Sequence, residues 1–166
     1  NWDATVDSKI NVVDSFTIEG YRYSDGWARN QRVWFRTRFS QPIKSVEIES
    51  KNLQNNPNGV GCIARFKFAT EGFDKLVVTT ALSPTSLVGA QKNLQAEAKT
   101  DDFDAVRRQA ETLWNNELGR IEIEGASKSQ ETVFYTSLYH AMSAPTLLCD
   151  VDGTYLGILG TPFRIA

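Results

Sequence analysis

The stretch QETVFYTSLYHAMSAPTLLCDVDGTYLG (Gln130–Gly157) joins an aromatic-rich helix, a proline stop and an acidic turn. Val133, Phe134, Leu138 and Ala141 form a helical stripe. Tyr135, Tyr139 and Met142 widen that stripe until little of the surface is polar, which predicts a helix buried almost all round. Ser127, with Gln130 three residues on, is a capping-box pattern that opens it. Pro145 ends it, because the ring removes an N–H and clashes with the preceding turn. Asp150-Val151-Asp152-Gly153 then predicts a tight acidic turn. Nine residues follow Gly157, too few for a second helix to pair with the first. Upstream, the chain reads as a platform for a helix whose packing partner is missing.

Residues 1–84 carry alternating patterns and turn residues, which predict antiparallel β structure. Ile10 to Ile18 reads as a first strand, and GYRYSDG (Gly20–Gly26) as a turn. Arg32 to Phe39 alternates clearly. Val33, Phe35, Thr37 and Phe39 point one way, and Arg32, Trp34, Arg36 and Arg38 the other. Gln41-Pro42 breaks the run, and Ile43 to Glu49 resumes it with Val46 and Ile48 toward a core. Lys51 to Gly59 reads as a polar loop. Gly61 to Ala69 is a strand with Cys62, Ala64, Phe66 and Phe68 inward. Lys75 to Leu82, KLVVTTAL, is a β-branched and nearly continuous run, which suggests cover on both faces. Five or six such strands predict part of an antiparallel β-sandwich.

Composition changes at Ser83. Leu87, Ala90 and Leu94 give helical spacing over Ser86 to Ala98. Asp101 reads as the N-cap of a second helix of about eighteen residues, with Asp102 and Asp104 in its first turn. Phe103, Val106, Ala110, Leu113, Trp114 and Leu118 form its stripe, and Gly119 its stop. Arg120 to Glu124 alternates as a short strand. The fold class is therefore mixed, β then α. Residues 1–84 form part of a β-sandwich, 85–125 a helical linker, and 126–166 the start of a helical domain.

Apolar content of 41% and charged content of 23% are those of a globular domain with a core. A net charge of −2 supplies no field to draw in nucleic acid. No apolar run approaches the ~18–20 residues of a membrane span. Residues 1–9 show no basic-then-apolar signal pattern. Cys62 and Cys149 lack metal-ligand spacing and read as two free buried thiols.

Candidate chemistry is sparse, and each candidate has a plainer reading. His140, the sole histidine, reads first as structural and second as pocket-lining. Asp150 and Asp152 suit a plain turn, and also an acid/base pair or a share in a calcium site, though the further ligands of an EF-hand loop are missing. The Arg32–Arg38 face reads as a solvated outer sheet face with one covered tryptophan, or as a surface that stacks on sugar or base. Trp27 is either a core plug or a sugar-stacking residue.

Three blocks, in order, resemble glycoside hydrolase family 92, the calcium-dependent exo-acting α-mannosidases. GWARNQRVWFRTRFSQP (Gly26–Pro42) is similar to the family's N-terminal sandwich. TTALSPTSLVGAQKNLQAE (Thr79–Glu97) and DFDAVRRQAETLWNNELGRIEIEG (Asp102–Gly125) resemble its strand, serine-containing turn and linker helix. TVFYTSLYHAMSAPTLLCDVDGTYLG (Thr132–Gly157) resembles the first helix of its (α/α)6 barrel and the acidic loop that follows.

The resemblance implies a mannose pocket between sandwich and barrel, inversion by an acid and a base about 6.5–9.5 Å apart, and a calcium ion holding sugar hydroxyls. It places the family's general acid, catalytic base and tryptophan–aspartate–threonine run downstream of this chain, so no catalytic residue or calcium ligand is assigned here. The expected substrate-binding residues are Asp152, Tyr155, His140 and Asp150. The expected partners are a mannose-containing glycan, and either a C-terminal catalytic portion or a second copy held through the orphan helix. A periplasmic or extracellular location follows from the resemblance alone. After Gly157 the tail ILGTPFRIA no longer resembles the family, and the chain reads as an internal fragment, inactive by itself. The alternative function is a non-catalytic carbohydrate-binding sandwich in which Trp27 or Trp34 stacks on sugar.

Overall fold

The computed structural model describes residues 3–26, 29–53, 56–69, 71–72, 74–144, 146–157 and 160–165. Trp27 and Pro145 lie outside the described residues. The chain forms two compact units, residues 1–101 with 148–166, and residues 102–147.

In the first unit, β1 (Asp3–Asp14), β2 (Thr17–Gly26), β3 (Gln31–Phe39) and β6 (Val78–Ser83) form one antiparallel sheet in the order β1-β2-β3-β6. β4 (Ile43–Leu53) and β5 (Asn56–Phe68) form a second antiparallel sheet. The strand expected over Ile10 to Ile18 is instead a hairpin. The chain turns at Ser15-Phe16, and Val12 pairs with Ile18 across it. GYRYSDG is not a turn but the body of β2. Gly20 sits between Ile10 and Phe35 in register, and a Cβ there would meet the Lys9 carbonyl and lie 2.7 Å from the Phe35 ring. A glycine marks close approach within a sheet here, not a bend.

The alternation of β3 is observed: Thr37 and Phe39 are buried. The Phe39 ring lies 5.6 Å from Phe66 and 5.1 Å from Phe68, which joins the two sheets. Cys62, Ala64, Phe66 and Phe68 alternate with exposed Ile63, Arg65 and Lys67. Val46 and Ile48 share the face of Phe66 and Ala64 but stay 37% and 41% exposed, so they complete no core. Of the polar run from Lys51 to Gly59, residues 51–53 and 56–59 are strand, with β4 and β5 paired as far as Leu53 and Asn56; Gln54 and Asn55 lie outside the described residues. β6 is covered on one side only, with Val78 and Leu82 exposed. Among the described residues it is an edge strand paired to β3 alone. Cys62 and Cys149 are free and half-buried.

α1 (Leu87–Glu97) lies on the other face of this sheet. Ser86 caps it by accepting from the Gly89 N–H at 2.9 Å. Ala90 and Leu94 are buried beneath it, as their spacing predicts. The arginine face of β3 is therefore only partly solvated, with Arg32 exposed and α1 lying over the rest. Arg36 donates to Glu19 at 2.8 Å, and Arg38 to Asp101 at 2.7 Å and to the Ala98 carbonyl at 3.0 Å.

The second unit holds α2 (Phe103–Leu118) and α3 (Lys128–Met142). Asp102, not Asp101, caps α2, accepting from the Ala105 N–H at 3.0 Å. Asp101 is engaged by Arg38 instead. Gly119 sits at the C-cap with φ −71°, so its freedom for left-handed backbone is unused. Arg120 to Glu124 forms no strand; it has no partner to pair with among the described residues. The capping box of Ser127 and Gln130 is present in both directions. α3 is not buried all round: none of its residues is buried, and Val133 is 64% exposed. Its cover within the unit comes from α2, through Trp114 against Tyr139 at 4.5 Å, and from the Ile121 carbonyl, which accepts from the Tyr135 hydroxyl.

Candidate functional site

The acidic turn is the most specific polar feature of the first unit. The Gly153 N–H donates to the Asp150 carbonyl at 2.8 Å, and the Asp150 N–H to the Thr154 carbonyl at 2.8 Å. Gly153 takes φ +80°, which favours glycine. The chain then runs into β7 (Thr154–Leu156), which pairs antiparallel with β8 (Pro162–Arg164). This hairpin was not expected from the tail sequence. Tyr155 lies opposite Phe163, with ring centroids 5.8 Å apart.

The turn packs on the junction of β6 and α1. Asp150 is 2% exposed. One carboxylate oxygen accepts from Ser83 Oγ at 2.8 Å and from Thr85 Oγ1, and the other from Asn93 Nδ2 at 2.8 Å. Asn93 Oδ1 in turn accepts the Val151 N–H at 2.9 Å. Asp152, two residues on, is partly exposed and pairs with Lys92 at 2.7 Å. The Lys92 ammonium, with the Thr154 hydroxyl and N–H, holds the Asp152 carboxyl well below the usual carboxylate range. A carboxyl held ionised in this way is an acceptor for hydroxyl or cation, not a proton donor near neutral pH.

Of the four expected site residues, Asp150, Asp152 and Tyr155 fall on this one turn and hairpin. Asp150 is interior, Asp152 is tied to Lys92, and Tyr155 is 36% exposed. His140 belongs to the other unit, where it is exposed on the last turn of α3 beside Tyr139. Ser83, Thr85, Lys92 and Asn93 were not singled out from sequence. Their bonds span 57 to 67 residues, which no local period reports.

Trp34 belongs to an aromatic group on the outer face of the first sheet. Tyr21 stacks on Tyr23 at 4.5 Å, Trp34 meets Tyr23 edge-on at 5.7 Å, and the Arg32 guanidinium lies 5.2 Å from the Tyr23 ring. The Tyr21 hydroxyl donates to Asp7 at 2.9 Å, and that bond pushes the phenol up. Tyr23 is thus taken up by its own neighbours. Among the described residues no group of three or more His, Cys, Asp or Glu side chains is gathered to hold a metal ion. The Asp150 oxygens accept from Ser83, Thr85 and Asn93, and Asp152 pairs with Lys92.

Two family models match the chain. The glycosyl hydrolase family 92 N-terminal domain matches residues 1–83, and the catalytic domain of the same family matches residues 89–162. The catalytic match runs past Gly157, so the tail does not leave the family there as expected. The chain is similar to the family GH92 alpha-mannosidase BT3965 from Bacteroides thetaiotaomicron, with a TM-score of 0.82 and 26% identity over 96% of this chain and 23% of that one. With the same protein in complex with mannoimidazole the values are 0.83 and 27%, over 96% and 22%. The family GH92 inverting mannosidase BT2199 from Bacteroides thetaiotaomicron VPI-5482 gives a TM-score of 0.71 and 25% identity, over 98% and 22%. The chain thus spans 22% to 23% of the length of these relatives. No curated protein sequence matches it. Antiparallel sheets followed by helices, matched by both models in the family's order, place the chain in glycosyl hydrolase family 92.

Proposed function

We propose that the chain serves in an α-mannosidase that hydrolyses terminal α-mannosyl linkages of glycans, with inversion and calcium assistance. In this reading it is one portion of a longer catalytic assembly and turns over no substrate by itself. The observation that carries the proposal is the double match. Both family domains are matched in sequence, and 96% of the chain follows the fold of an alpha-mannosidase also solved with mannoimidazole.

Inversion needs a protonated acid at the leaving oxygen and a carboxylate that activates water. Neither turn aspartate suits the acid role: Asp150 is buried with both oxygens engaged, and Asp152 is held ionised. We therefore give Asp152 a binding role and leave Asp150 inside the turn. Tyr155 would lie against the apolar face of a mannosyl ring, and Asp152 would accept from a ring hydroxyl. His140 remains a pocket-lining candidate on α3. The exposed stripe of α3 would be covered by an (α/α)6 barrel or by a second copy. Calcium would hold sugar hydroxyls, with no ligand drawn from this chain. The location would be periplasmic or extracellular, where such glycans are met.

Two measurements test this reading. Mannose release from α-1,2-mannobiose is expected to be absent both with calcium and with a chelator. Calcium-dependent release would overturn the non-catalytic role, and Asp150 and Asp152 would be the first residues to replace. Titration with α-1,2-mannobiose is expected to shift the Tyr155 ring resonances in NMR spectra, whereas maltose is not. Equal silence toward both sugars would remove the binding assignment.

A further inference from the structure

We propose that Asp150 is the positioning residue of the acidic turn: its carboxylate plugs a socket made by Ser83, Thr85 and Asn93 and so sets where Asp152 and Tyr155 stand. That these two meet a sugar rests on the function proposed above; the socket rests on geometry alone.

The socket accepts only a pair of acceptor oxygens. Ser83 Oγ already accepts the Thr85 N–H at 3.0 Å and the Ser86 N–H at 3.2 Å. With its lone pairs so used, its hydrogen is left to point at Asp150, 2.8 Å away. Asn93 has no freedom to turn its amide over. Nδ2 donates to the Leu82 carbonyl at 2.8 Å as well as to Asp150, while Oδ1 takes the Val151 N–H. An amide at position 150 would bring its own N–H against the Ser83 hydrogen or the Asn93 amide. The socket is also closed sterically. A Cβ on Gly89 would run into the Asp150 carboxylate and Ser83 Oγ, and would lie 2.9 Å from Asp150 Cγ.

From this buried carboxylate a continuous run of bonds reaches both strands of the hairpin. The Asp150 backbone closes the turn on Gly153 and Thr154. The Gly153 carbonyl accepts the Ile165 N–H at 3.0 Å, and the Asp152 carbonyl accepts Arg164 Nε at 2.9 Å. Two neighbouring residues of α1 hold the two carboxylates, Asn93 for Asp150 and Lys92 for Asp152. Loss of the first contact therefore moves the second. Ser83 ends the N-terminal family match and Asp150 lies within the catalytic one, so the sandwich side of the chain sets the catalytic-side turn.

The test uses the whole chain and variants Asp150→Asn, Gly89→Ala and Thr85→Val. The last removes one donor at the socket's edge and keeps side-chain shape, so it reports even where the others fail to fold. The first readout is the carboxyl titration of Asp152 by ¹³C NMR. The expected result is a rise toward the ordinary aspartate value of about 3.9 in every variant, largest in Asp150→Asn and Gly89→Ala. At the same time, amides of β2 and β3 keep their exchange protection. An Asp152 titration unmoved in folded variants would overturn the positioning role. The second readout is the α-1,2-mannobiose response of the Tyr155 ring, expected to weaken at least tenfold in affinity. A wild-type chain that shows no response defeats the sugar reading and leaves the titration to decide the socket. Variants whose Asp152 moves while mannobiose affinity holds would show that the socket does not position the turn for sugar.

Discussion

Ser83 and Asp150 stand 67 residues apart in the chain and 2.8 Å apart in space, both nearly sealed from solvent at 1% and 2% exposure. Ser83 does three things there: it accepts two backbone N–H groups of the β6–α1 turn and donates to the carboxylate. Ser83→Ala takes away that acceptor and one donor to a buried charge. Leaving buried polar groups unpaired costs about 1–3 kcal/mol. The expected outcome is a fall of that size in unfolding free energy, read from the urea midpoint of the β unit. Thr85→Val, which removes a donor at a half-buried position, is expected to cost less. Equal and negligible effects would mean that water enters and replaces the hydroxyls.

Gly89→Ala sets two known effects against each other. Within α1, alanine is favoured over glycine by about 1 kcal/mol. Against this, the new methyl meets Ser83 Oγ and the Asp150 carboxylate, both fixed by several bonds. Overpacking of a closed site costs about 1–3 kcal/mol, so the clash is expected to win and the variant to be less stable. Thermal unfolding of the two proteins side by side reads the sign directly. A stabilised variant would mean that the acidic turn gives way at little cost.

The Asp152–Lys92 pair makes stability depend on acid in a defined direction. Lys92 and the Thr154 groups lower the folded-state pKa of Asp152, while the unfolded value stays near the ordinary one of about 3.9. The contribution is therefore fully present above about 3.9 and is lost as pH falls through the folded-state value. Lys92→Met removes the ammonium and keeps the apolar stem. The stability gap between wild type and this variant is expected to be constant from pH 7 to 5 and to narrow only below about 3.9. A gap that closes by pH 5 would show that Asp152 is not held low.

Local signals are legible in this sequence, and distant ones are not. The β3 alternation, the Ser127–Gln130 box and the α1 stripe each depend on residues within one turn or one strand, and each is present. The acidic turn was legible as a turn, but not as a plug, because its partners are Ser83, Thr85 and Asn93. GYRYSDG has turn-forming composition, but packing of the Phe35 ring over Gly20 holds it in the sheet. Residues 51–53 and 56–59 likewise have loop-favouring composition, yet pairing with the partner strand carries through them. The burial expected of α3 followed from its aromatic content, yet burial needs a surface to pack on, and α2 supplies only part of one.

Gly20 offers the sharpest test of the corrected β2. A Cβ at this position would press on the Lys9 carbonyl, a backbone atom of the paired strand, and on the Phe35 ring 2.7 Å away. The ring has some freedom to turn, but the carbonyl belongs to the β1–β2 ladder and moves only if the ladder opens. Gly20→Ala is therefore expected to cost about 1–3 kcal/mol, in spite of alanine's lower entropy loss in a strand. Its effect should be felt first in the β1–β2 hairpin, as faster exchange of the amides of Lys9 to Asn11 than of those of β5. The turn reading of Gly20–Gly26 predicts the opposite, a near-neutral substitution with no change in that hairpin. A urea titration with hydrogen-exchange sampling of both strands separates the two.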